Sequence, residues 1–139
     1  MRRRCDFDPP EAVCAWHHQC NGNIIDRCAV IQNSDKGVSF DGYVGQCDGN
    51  TIQENRIMGN AERGIRVNRG VGNRIEANTI WGTTRGTNYG IQTVSTTSNF
   101  ILKNTCVGHT YNFALSTYGP IVTTVGQLAG TDPWANLSR

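Results

Sequence analysis

Cys14, His17, His18 and Cys20 fall within seven residues near the start of a 139-residue chain. Thiolate and imidazole at close spacing are zinc ligands. The run reads Cys-x-x-His-His-x-Cys, with no second paired cluster to complete a shell. On a strand only alternate residues share a face. Stacked or free thiols are the competing reading, and it outweighs a metal site. Arg66 and Asp41 are the other candidates for chemistry. Elimination from a uronic acid takes a base, commonly Arg or Lys, and a cation for the substrate carboxylate. Hydrolysis of a glycoside takes paired carboxylates. Asp41 and Asp48 are the only acids near Arg66, too few for the oxygen cage that calcium wants. Calcium is still the one cofactor these residues leave open. Neither catalytic set is complete. His17 and His18 have no acid near them in sequence, and His109 falls at a turn.

The elements that must position these residues come from a repeat. Asn23, Asn50, Asn73 and Asn99 recur at steps of 27, 23 and 26 residues, each followed two positions on by an isoleucine: Ile25, Ile52, Ile75 and Ile101. Asn55, Asn78 and Asn104 form a second column, with Cys28 and Cys5 in its register. Val30, Ile57, Ile80 and Cys106 form a third. Gly37, Gly64 and Gly90 precede Val38, Ile65 and Ile91, and Phe40, Val67, Thr93 and Leu115 follow two later. Apolar and polar residues alternate in runs too short for helices. A period in this range marks a solenoid whose coils bury a core only by stacking. Stacked strands pair in parallel, aliphatic side chains fill the inside, and asparagines stack as amide ladders at bends. Asn also tolerates the left-handed backbone a bend requires.

The pattern Asn-x-Ile-x-x-Asn-x-Ile followed by Gly-Ile-x-Val resembles the right-handed parallel β-helix of the pectate-lyase-like superfamily, over roughly residues 4–115. The tail Gly119-Pro120-Ile121 … Asp132-Pro133-Trp134-Ala135-Asn136-Leu137 is similar to the ends of uncharacterised bacterial β-helix repeat proteins. The resemblance implies an all-β, single-stranded solenoid of about four to five coils over residues 1–118, with a capping tail at 119–139. Arg4-Cys5-Asp6-Phe7 aligns with Arg27-Cys28-Ala29-Val30, so the chain is expected to begin partway through a coil. A partner chain, a second copy or a longer solenoid would then cover the first coil.

In the Gly-Ile-x-Val strand, Ile and Val point inward, and the residues beside them point to solvent. The outward columns are Cys14, Ser39, Arg66, Gln92 and Ala114, and Trp16, Asp41, Asn68, Val94 and Ser116. Inserted loops, Asp41–Gly49 with Tyr43 and Thr83–Tyr89 with Tyr89, flank the strand, as functional loops on solenoids do. The resemblance implies that such a strip holds sugar chains. Trp16, Tyr43 and Tyr89 would stack on sugar faces, and Ser39, Asp41, Arg66, Asn68 and Gln92 would bond hydroxyls. A carbohydrate-binding or polysaccharide-active module is therefore the leading reading. A non-catalytic assembly element, a piece of a larger solenoid or oligomeric shaft, is the alternative.

A net charge of +2 gives no case for nucleic acid. Arg2-Arg3-Arg4 is followed by no apolar run, so it reads as neither signal peptide nor anchor, and nothing is long enough to cross a bilayer. Six cysteines in a small β protein point to an oxidising, extracellular or cell-surface setting. Cys5 with Cys28, and Cys20 with Cys47, share register positions at disulfide range. Cys106 stands where the column has isoleucine. Thr79 and Thr105 share a column with Arg56 and Ala29, which breaks any flat threonine array.

Overall fold

The computed structural model describes residues 2–3, 21–42, 45–82, 88–118, 124–125 and 136–138. The strands are β1 (Arg2–Arg3), β2 (Ile24–Asp26), β3 (Ala29–Ile31), β4 (Lys36–Asp41), β5 (Thr51–Gln53), β6 (Arg56–Met58), β7 (Arg63–Asn68), β8 (Arg74–Glu76), β9 (Thr79–Trp81), β10 (Tyr89–Thr97), β11 (Phe100–Leu102), β12 (Thr105–Val107), β13 (Tyr111–Tyr118), β14 (Thr124–Val125) and β15 (Asn136–Ser138). They form three sheets, in the orders β1-β2-β5-β8-β11, β14-β15-β12-β9-β6-β3 and β13-β10-β7-β4. Every pairing is parallel. From β2 to β13 the chain visits the first, second and third sheet in turn and then repeats. This is the expected parallel β-helix.

The register matches the repeat. Ile25, Ile52, Ile75 and Ile101 lie opposite one another in the first sheet. Val30, Ile57, Ile80 and Cys106 do so in the second, as do Ala29, Arg56, Thr79 and Thr105. Val38, Ile65, Ile91 and Phe113 do so in the third. From Ile52 to Ile101 the core isoleucines are at most 1% exposed. Each contributes on the order of 2 kcal/mol by leaving water. Two expectations shift by a residue. Arg2 pairs with Ile24 and Arg3 with Ile25, one position off the alignment of Arg4 with Arg27. The pairing of β10 with β13 is irregular between Thr93 and Thr96. There Ser95 takes a positive φ of 50°, which breaks the column that would join Val94 to Ser116.

The asparagines form continuous ladders. In the first, the backbone N–H and Nδ2 of each Asn donate to Oδ1 of the Asn one coil on, from Asn23 through Asn50 and Asn73 to Asn99, at 2.9–3.0 Å. In the second, Asn55, Asn78 and Asn104 repeat the pattern, and Cys28 gives its backbone N–H to Asn55 Oδ1. The ladder runs on into the tail: Asn104 donates to Asn136 Oδ1, and Asn136 Nδ2 to Ile101 O. A third, shorter ladder joins Asn33 to Asn60. The left-handed residue is not the Asn, as the sequence suggested, but the residue before it. Gly22, Gly49, Gly72 and Ser98 precede the first ladder. Arg27, Glu54, Ala77 and Lys103 precede the second, and Gln32 and Gly59 the third, all with φ between 53° and 66°. An Asn bonds along the stack only if its own N–H points that way, so the bend is made one residue earlier.

Candidate functional site

Three register columns of the third sheet hold its polar and aromatic residues. Lys36, Arg63, Tyr89 and Tyr111 form the first, Ser39, Arg66, Gln92 and Ala114 the second, and Asp41, Asn68 and Val94 the third. The buried glycine column beside the first brings successive coils close together. A Cβ on Gly64 would come within 3 Å of Ile80 Cγ2 and of Gly90 O.

In the second and third columns the predicted residues meet. Arg66 Nη1 donates to Asp41 Oδ2 at 3.2 Å, and Asn68 Nδ2 to Asp41 Oδ1 at 2.7 Å. The Arg66 and Asp41 side chains are 22% and 17% exposed, so the pair sits at the surface without being fully solvated. Arg66 Nε and Gln92 Oε1 are buried without a hydrogen-bond partner, although both side chains are only partly covered. Ser39 departs from expectation. It shares the column, but it is fully buried with its Oγ unpartnered, because β4 is buried along all but its last residue. It lies beneath the face, not on it.

Tyr89 opens β10 instead of standing in a loop. Its ring stacks on Tyr111 at a centroid distance of 5.3 Å, and the Arg63 guanidinium lies over its ring at 5.6 Å. Arg63 is paired to Glu62 at 2.6 Å, and Lys36 to Asp35. Sequence reasoning missed Arg63 and Tyr111. The signal was available: both stand immediately before the column that contains Gly64 and Asn112, at the coil step. Asp48 holds a turn, with Oδ1 accepting from the Val71 N–H at 2.9 Å. Lys103 pairs with Glu76 away from the strip, at 3.2 Å. Burial pushes the Glu76 carboxyl up, but hydrogen bonds and charge from Arg74 and Lys103 outweigh it and hold it below its ordinary value. Trp16, Tyr43, Cys14, His17, His18, Cys20 and Cys5 lie outside the described residues, as do residues 83–87 of the second inserted loop.

A family profile described as "Periplasmic copper-binding protein (NosD)" matches residues 9–122. No curated protein matches the chain. No solved structure matches it either.

Copper takes imidazole, thiolate and thioether ligands. Among the described residues no three His, Cys, Asp or Glu side chains converge. His109 is held by Asn112, and burial lowers its pKa, which the Asn112 contact only partly opposes. Cys106 is fully buried in the core, and burial pushes its thiol far up, away from the thiolate a metal needs. Cys28 and Cys47 are buried in the same core. The described residues do not fit a copper centre.

Proposed function

The chain belongs to the NosD family, and on that footing we propose that it is a β-helix binding module that works outside the cytoplasm and holds a glycan across the outer face of the third sheet. One observation carries the reading. Arg66, Asp41 and Asn68 form a partly exposed polar network whose hydrogen-bonding capacity is not used up, since Arg66 Nε–H and Gln92 Oε1 have no partner. Stacked Tyr89 and Tyr111 open the strands of the same sheet, and polar hydroxyl-binding groups together with aromatic rings suit a sugar. Trp16 and Tyr43 are further aromatic candidates by sequence position. The chemistry supported is binding. Among the described residues of the three columns Asp41 is the only carboxylate, so the pair that hydrolysis requires is not assembled there.

Titration calorimetry with soluble polysaccharides tests the reading. Wild type binds, and Arg66→Ala and Tyr89→Ala each weaken binding at least about tenfold, as expected for the loss of a charged hydrogen bond or a stacking ring. Failure to bind any neutral or acidic polysaccharide sinks it.

A second reading follows from the family description. Cys14, His17, His18 and Cys20 carry the donor types copper takes, and they fall inside the matched residues. Copper(I) titration under reducing conditions checks it. Binding at one equivalent that Cys14→Ser with Cys20→Ser abolishes supports a copper site, and unchanged binding removes it.

A further inference from the structure

Resting on the glycan reading, we propose that the third-sheet face selects neutral, hydroxyl-rich chains over acidic ones. Among the described residues of the three columns the cations are Lys36, Arg63 and Arg66, and each has its counter-charge within the protein: Lys36 with Asp35, Arg63 with Glu62, and Arg66 with Asp41. A uronate carboxylate arriving at Arg66 meets a guanidinium whose charge Asp41 already balances. It would have to displace Asp41 or lie beside a like charge, and either costs binding energy.

The unmet hydrogen bonds point the same way. Arg66 Nε–H is a donor without an acceptor. Gln92 Oε1, directly opposite in the next coil, is an acceptor without a donor. A hydroxyl is donor and acceptor at once. One ligand hydroxyl, or two on adjacent carbons, can accept from Arg66 Nε and donate to Gln92 Oε1. A carboxylate only accepts, so it leaves Gln92 Oε1 unsatisfied in a partly desolvated place. Both atoms are themselves covered, but they belong to partly exposed side chains on adjacent coils. Tyr111, 52% exposed at the end of the tyrosine column, offers an uncharged ring for the apolar face of the same sugar.

The test compares cellohexaose, mannohexaose and maltohexaose with hexagalacturonate by calorimetry on the full chain. At least one neutral hexasaccharide binds about tenfold or more tightly than hexagalacturonate, the size of penalty a like-charge contact imposes. Hexagalacturonate binding as tightly as the best neutral chain overturns the selectivity and leaves the glycan reading standing. No binding by any of the four overturns both. Asp41→Asn, near-isosteric and checked for an unchanged melting curve, releases the Arg66 charge. It raises hexagalacturonate affinity about tenfold in a salt-sensitive way while neutral affinity moves less. No gain in acidic affinity would show that charge balance at Arg66 does not set the preference.

Discussion

A ladder asparagine makes four hydrogen bonds with one amide. Asn78 Oδ1 accepts from the Asn55 backbone and side chain, and its Nδ2 donates to Ile52 O and Asn104 Oδ1. Removing it strands buried donors on Asn55 and the carbonyl of Ile52. Asn78→Ala is expected to cost about 3 kcal/mol, the sum of the unmet groups. Asn78→Asp costs more at neutral pH, because an oxygen then faces Ile52 O and Asn104 Oδ1 where a donor stood. Urea unfolding of the two variants checks the order, and an Asp variant as stable as wild type contradicts it. The period of Asn-x-Ile made two ladders legible in the sequence. The Asn33–Asn60 ladder was not, because Asp35 and Glu62 stand where the repeat has isoleucine. Nor was the Asp41–Arg66 pair, which joins residues 25 positions apart across a coil boundary. That Ser39 is buried depends on what lies over β4, which strand alternation does not report.

At the scale of the element, the glycines divide into two kinds with different physics. Gly64 has an ordinary φ but no room, with Ile80 Cγ2 and Gly90 O inside 3 Å of any Cβ. Gly72 has open space around it but a φ of 65°. Gly64→Ala therefore overpacks the contact between coils and costs about 3 kcal/mol. Gly72→Ala meets only local backbone strain, about 1 kcal/mol. Thermal melts should place the Gly64 variant clearly below the Gly72 variant, and equal melting temperatures would show that the close approach relaxes freely. The sequence places both glycines at turns or strand starts without telling them apart. Positive φ at Arg27, Glu54, Ala77 and Lys103 was equally hidden. These residue types do not advertise a left-handed bend, and the ladder bonds of the next residue hold them there.

At the scale of the whole molecule, the described residues near the C-terminus extend the stack. Asn136 satisfies the Asn104 N–H and Nδ2 as a ladder rung. β15 pairs with β12, and β14 lies outside β15. Asn33 Oδ1, on the first rung of the third ladder among the described residues, is buried without a hydrogen-bond partner. By itself the sequence determined the coil period, the inside and outside of most strand positions, and membership of a stacked parallel fold. A residue's side of a strand follows from alternation, and stacking follows from the need to bury that side. Tertiary structure alone decided which polar groups of the outer face neutralise one another and which remain unmet. It also decided that the bend falls before each ladder Asn, and that Tyr89 stacks on Tyr111 as a strand residue. Those outcomes depend on distances between successive coils, which are set by packing along the axis and written in no single repeat.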